Sequence, residues 1–163
     1  MNIKVREKNS TKFKEGKILL ASKNELPIKK NNWTFNWREI YNLNKKALFY
    51  KLIIDEEPNI IQSIASFYTT EYGLLYMSQI ESSYQNKSSN GKYEAVASLI
   101  AFGCKLSFNI KEPYKGYLGF TSKSNLIDLY KNKYGAKSIG SSQIMFIEPK
   151  ESIKLINYYL LGD

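Results

Sequence analysis

A polar loop, Gln85-Asn86-Lys87-Ser88-Ser89-Asn90-Gly91, leads directly into a long apolar segment that begins at Glu94. The first turn of a helix leaves backbone N–H groups without partners and carries partial positive charge, so such a junction attracts phosphate. Ser88, Ser89, Asn90, Gly91, Ala95, Ala97 and Ser98 are small or permissive enough to let an anion approach the backbone, and Lys87 and Lys92 add cations. The same loop would serve as a plain polar cap for a core helix. The second group with chemistry is phenolic, in Leu129-Tyr130-Lys131-Asn132-Lys133-Tyr134-Gly135-Ala136. A phenol keeps its proton until a strong base develops beside it, which suits a general acid. Elsewhere the choice is narrow. The chain has no histidine and one cysteine, Cys104. With no imidazole to activate it, Cys104 reads as a buried structural thiol. No carboxylate set has ligand spacing, so no metal site is expected.

These residues need elements to position them. Residues 1–32 are lysine-rich, with Ile18-Leu19-Leu20-Ala21 as their one apolar core. Asn36 predicts a cap for a short helix over 37–44. Strand patterns over 48–54, 60–68 and 74–81 are separated by turn signals at Asp55-Glu56-Glu57-Pro58-Asn59 and Thr69-Thr70-Glu71-Tyr72-Gly73. Connections this short predict an antiparallel meander. The segment 94–108 is apolar on most of a helical surface and predicts a deeply buried helix. A short strand over 116–120 follows. A helix then runs to Tyr134, capped by Thr121, Ser122 or Ser124 and stopped by Gly135. Strands at 138–139 and 143–147 and a last helix over 151–160, announced by Pro149, complete the chain. The helix between the third and fourth of these strands predicts a parallel crossover. The expected fold is α/β (α+β): one domain over 1–163, with an N-terminal region 1–47, a core 48–147 and a C-terminal helix 148–163.

Composition sets outer limits. Hydrophobic residues make up 43% of the chain, which supports a folded globule. The polar N-terminus lacks a signal-peptide core, and no apolar run reaches membrane-spanning length, so a cytoplasmic location without membrane contact is expected. The net charge of +9 comes from 24 basic and 15 acidic side chains. It favours phosphates, nucleic acid or an acidic protein as partners, or simply a soluble surface. Scattered lysines form no nucleic-acid arm, and lysine lacks the fork that base readout prefers.

The stretch Lys92-Tyr93-Glu94-Ala95-Val96-Ala97-Ser98 resembles the pyrophosphate loop of the GNAT acetyltransferases, whose pattern is Gln/Arg-x-x-Gly-x-Gly/Ala. Lys92 takes the Gln/Arg place and Ala95 and Ala97 the glycine places. Leu129-Tyr130 through Gly135-Ala136 is similar to that family's Tyr-x-x-x-Gly-Phe helix ending, with four residues rather than three between Tyr130 and Gly135 and Ala136 in the Phe place, and the order of elements over 48–147 agrees. Ala95 in place of glycine, and Lys123 where many members carry a cofactor-contacting asparagine, are departures. The resemblance implies a GNAT-like mixed, mostly antiparallel sheet flanked by helices. It further implies an N-acetyltransferase that moves acetyl from acetyl-CoA to an unidentified amine by direct attack. Backbone amides from Lys92 to Ala97, with Ser98, would hold the diphosphate. The edge of the third meander strand, at Met77, Gln79, Ile80 and Glu81, would hold the pantetheine arm, with Lys123 nearby. Tyr130 would protonate the departing thiolate, and Glu81 is the first choice of base for the amine. Trp33, Phe35 and Trp37 would line an acceptor pocket or staple the sheet. A catalytically silent CoA- or partner-binding relative and a basic nucleic-acid-binding module stand as alternatives.

Overall fold

The computed structural model describes residues 1–162. The chain opens with a hairpin, β1 (Asn2–Arg6) and β2 (Phe13–Leu20), whose inward residues Ile3, Val5 and Ile18 are buried while the lysines between them face water. Only two or three apolar residues alternate in each strand, so this pair is faint in the sequence. Helix α1 (Trp37–Leu43) starts where Asn36 Oδ1 accepts the Glu39 N–H at 3.3 Å. The meander is β3 (Leu48–Ile54), β4 (Glu57–Thr69) and β5 (Leu75–Ser82). The first turn is tighter than the sequence suggests. Pro58 lies within β4, at a register shift where no ladder N–H is required.

Helix α2 (Ala95–Ser107) crosses back to β6 (Leu118–Thr121), which pairs parallel to β5 as the crossover predicts. Helix α3 (Ile127–Tyr134) follows a short 3₁₀ turn and stops at Gly135, whose φ of 65° is the left-handed conformation that glycine tolerates. None of the expected side-chain caps serves its N-terminus; Ser122 Oγ donates to the Lys123 carbonyl instead. Strands β7 (Lys137–Ser138) and β8 (Ile144–Ile147) and helix α4 (Pro149–Ile156), extended by a wider π-type turn over 157–161, end the described chain. The strands form one sheet, ordered β1-β2-β3-β4-β5-β6-β8-β7, antiparallel except for β5–β6.

Two cores result. On one face, Phe67, Met77, Leu118, Phe120, Met145 and Ile147 pack under α2, α3 and α4. On the other, Trp37 and Leu26 cover Ala21, Phe49 and Ile64, so the α1 segment roofs β2 to β4. Gly103 lets α2 lie close to the sheet, since a Cβ there would stand 2.5 Å from the Phe67 ring. Gly103→Val is therefore expected to lower stability by about 1–3 kcal/mol through overpacking, read as a fall in the urea midpoint.

Candidate active site

The sheet opens between β5 and β6. Their ladder runs only from Leu75↔Leu118 to Met77↔Phe120, while β5 continues to Ser82 against β4 alone. The cause is local: Ser66 faces Gln79 and Phe67 faces Met77, which leaves Ser78 as an extra residue in β5. Such a bulge bends its strand and raises its twist. Beyond it the β5 edge towards β6 is unpaired. The slot so formed has a volume of about 210 Å³. Met77, Gln79, Ile80 and Glu81 line one side, Phe120 to Lys123 the other. Tyr130 and Leu126 close it from the helix face, and Thr34 and Phe35 from the α1 face.

Tyr130 is one turn before the end of α3. Its ring lies 4.7 Å from that of Phe120, and burial pushes the phenol's pKa up. The hydroxyl thus stays protonated at neutral pH, in a slot wall, as a proton donor requires. Lys123 reaches the same slot.

Glu81 does not fit the role of base expected for it. Its carboxylate is 6% exposed and accepts the Thr34 N–H at 2.6 Å, the Phe35 N–H at 3.0 Å, the Trp37 indole at 3.1 Å and Lys87 Nζ at 2.9 Å. Burial alone would raise its pKa, but the Lys87 ammonium and the two backbone donors outweigh this and hold it below the ordinary carboxylate range. A depressed carboxylate with both oxygens engaged is a poor proton acceptor. Instead it pins the 34–37 segment over the slot. Lys87 also donates to Thr34 Oγ1 at 2.9 Å, which ties the wall to the loop before α2. Because the folded-state pKa is the lower one, this stabilisation is present above the usual glutamate range and is lost as pH falls through the folded value. Glu81→Gln is expected to lower stability by about 1–3 kcal/mol near neutral pH, a difference that shrinks in urea titrations taken progressively below about pH 4.

The loop before α2 is stapled by the N-terminal hairpin, an arrangement with no sequence signal. Lys8 Nζ donates to the Asn86 and Ser88 carbonyls at 2.6 and 2.9 Å, and Asn9 Nδ2 to the Ser89 carbonyl at 2.8 Å. Gly91 is required, since a Cβ would meet Asn86 backbone at 2.8 Å. Within the expected phosphate cradle, the amides divide. Lys92 N–H bonds to the Gln85 carbonyl, Tyr93 N–H to Asn86 Oδ1, Glu94 N–H to the Arg6 carbonyl and Ser98 N–H to the Glu94 carbonyl. These four are occupied. Ala95, Val96 and Ala97 are the first three residues of α2, and no acceptor for their N–H groups occurs among the described residues. The Glu94 carboxylate is not their cap; it is turned to Lys133 on α3, 2.8 Å away. Three free amides at one helix start fit a diphosphate group.

The bulged β5, the opening beside β6 and the helix that starts behind it define the fold of the GNAT acetyltransferases, and solved structures agree. The complex AtaTR bound with acetyl-CoA matches with a TM-score of 0.59 at 9% identity, over 86% of this chain and 97% of that one. Apo FdhC, a nucleotide-linked sugar GNAT, matches at 0.57 and 11% identity over 98% of each chain. Ard1 from Thermoplasma volcanium matches at 0.55 and 10% identity over 80% and 95%. No family model and no curated protein matches the sequence. No helix among the described residues is long and apolar enough to cross a membrane.

Proposed function

We propose that the chain is an acetyl-CoA-dependent N-acetyltransferase. The observation that carries this reading is the slot through the sheet with the half-buried Tyr130 phenol in its wall, and the amides without acceptors at the start of α2 support it. Acetyl-CoA, as co-substrate, would supply an already activated thioester. The amides of Ala95, Val96 and Ala97 bind its diphosphate, and the unpaired β5 edge at Gln79 and Ile80 aligns its pantetheine arm. Tyr130 holds a proton for the leaving thiolate. Thr34 and Phe35, pinned by Glu81, wall the side from which the amine enters. The amine nitrogen forms its bond to the acyl carbon as the carbon–sulfur bond breaks, and its surplus proton passes to water. Such a transfer needs alignment more than strong acid–base groups.

Acetyl-CoA at a hundred times its Kd should stabilise the fold by about 2.7 kcal/mol. Thermal denaturation reads this, and an unchanged midpoint with saturating ligand would remove the enzyme reading. One observation favours the silent alternative: Glu81, the carboxylate in the slot wall, is fully engaged and leaves no base for the amine. In that case acetyl-CoA binds but no amine releases CoA thiol. The +9 charge leaves an acidic protein or nucleic acid as a further partner, and nucleic-acid binding would weaken steeply with salt.

A further inference from the structure

The α1 segment roofs β2 to β4 and leaves the same face of β5, β6 and β8 uncovered. Alternation along these strands puts Leu75, Met77, Leu118, Phe120, Met145 and Ile147 towards the helices. The intervening residues face the other way and line a groove of about 690 Å³. Its walls include Tyr72, Tyr76, Tyr114, Tyr117, Ile144 and Phe146. Tyr72 is 64% exposed and Ile144 46%. Gly119 forms the floor: a Cβ there would stand 2.8 Å from Leu74 Cδ2 and 3.1 Å from Tyr76 Cδ2, so these two side chains close over bare backbone.

We propose that this groove receives the body of the acceptor, and that the acceptor is a monoamine carried on a flat aromatic body. The proposal rests on the acyl-transfer reading. Two observations select this occupant. The first is continuity with the slot. Thr121 shares the face of Gly119, lies cross-strand from Ile144 and lines the slot. The Tyr76 hydroxyl, in the groove, hydrogen-bonds Thr121 Oγ1. An aromatic body in the groove therefore carries its amine towards the opening, on the face opposite Tyr130. The second is charge. Among the described residues Glu148 is the one carboxylate lining the groove, and Lys137 Nζ neutralises it at 2.6 Å. A polycation would find no free carboxylate there among the described residues. A flat ring finds tyrosine faces, and the volume suits a small ligand.

The test uses 2-phenylethylamine and spermidine as probe acceptors, thiol release from acetyl-CoA as the assay, and the NMR line width of 2-phenylethylamine without acetyl-CoA as a second readout. The wild type should prefer 2-phenylethylamine in kcat/KM by at least about tenfold and broaden its lines. Ile144→Lys and Tyr72→Ser, at exposed positions, should each raise its KM several-fold and abolish the broadening, with the Kd for acetyl-CoA unchanged. A preference for spermidine, or an unaltered KM in both variants, would overturn the proposal. So would sedimentation as a dimer that Ile144→Lys dissociates, because the groove would then be covered by a second copy. If acetyl-CoA binds and neither amine reacts or broadens, the proposal falls while the acyl-transfer reading stands. If acetyl-CoA does not bind at all, the acyl-transfer reading itself falls.

Discussion

Tyr130→Phe is expected to lower turnover by about 10²–10⁴-fold while leaving the Kd for acetyl-CoA within about twofold. The variant removes one oxygen from a ring that keeps its packing on Phe120, so the slot retains its shape. What is lost is the proton held for the thiolate. Burial raises the Tyr130 pKa, so the wild-type hydroxyl stays protonated across neutral pH and its loss is felt there without a compensating shift. Steady-state thiol release, with binding measured separately, checks this. A fall in affinity with turnover per bound cofactor unchanged would assign Tyr130 to the wall alone.

Val96→Asp is expected to weaken acetyl-CoA binding by roughly 2 kcal/mol, about thirtyfold in Kd, through repulsion of the diphosphate in a partly water-excluded site. The position matters. Ala95 and Ala97 are each 1% exposed, so an acidic residue at either would disrupt the core and report on folding. Val96 is half-buried against the core at the second position of α2, so the helix dipole offsets only part of the packing lost with a carboxylate there, and the thermal midpoint of the variant is measured beside its affinity. Equal affinity in Val96→Asp and wild type would place the diphosphate elsewhere.

Much of the core was legible from 48 onward because strong local signals agree there. The strand 48–54 is found over those residues, Asn36 caps α1 as expected, Gly135 stops α3, and the parallel crossover between β5 and β6 follows from the helix between them. The slot itself was half legible. Tyr130, Met77, Gln79, Ile80 and Lys123 all line it. The bulge at Ser78 that opens it comes from a cross-strand register that no single strand's pattern records. Glu81 illustrates the limit most clearly. Its place at a strand end suggested a free base, yet its partners Thr34, Phe35 and Trp37 lie more than forty residues away. The aromatic knot likewise divides its work, Trp37 in the second core and Phe35 in the slot wall. The loop clasp from Lys8 and Asn9 is a third long-range contact, made to loop carbonyls; the amides that the motif alone would assign to phosphate are taken instead by Gln85, Asn86 and Arg6.

The claim on which the rest depends is that free amides at the start of α2 take a diphosphate. Isothermal titration of acetyl-CoA into the wild-type chain tests it most directly, with Val96→Asp in parallel and acetyl-pantetheine, which lacks the diphosphate, as a second titrant. The account predicts saturable binding at one site per chain, weakened in Val96→Asp for acetyl-CoA and unaffected by that change for acetyl-pantetheine. Absence of saturable heat with acetyl-CoA, or equal affinity of the wild type for the two titrants, would contradict it.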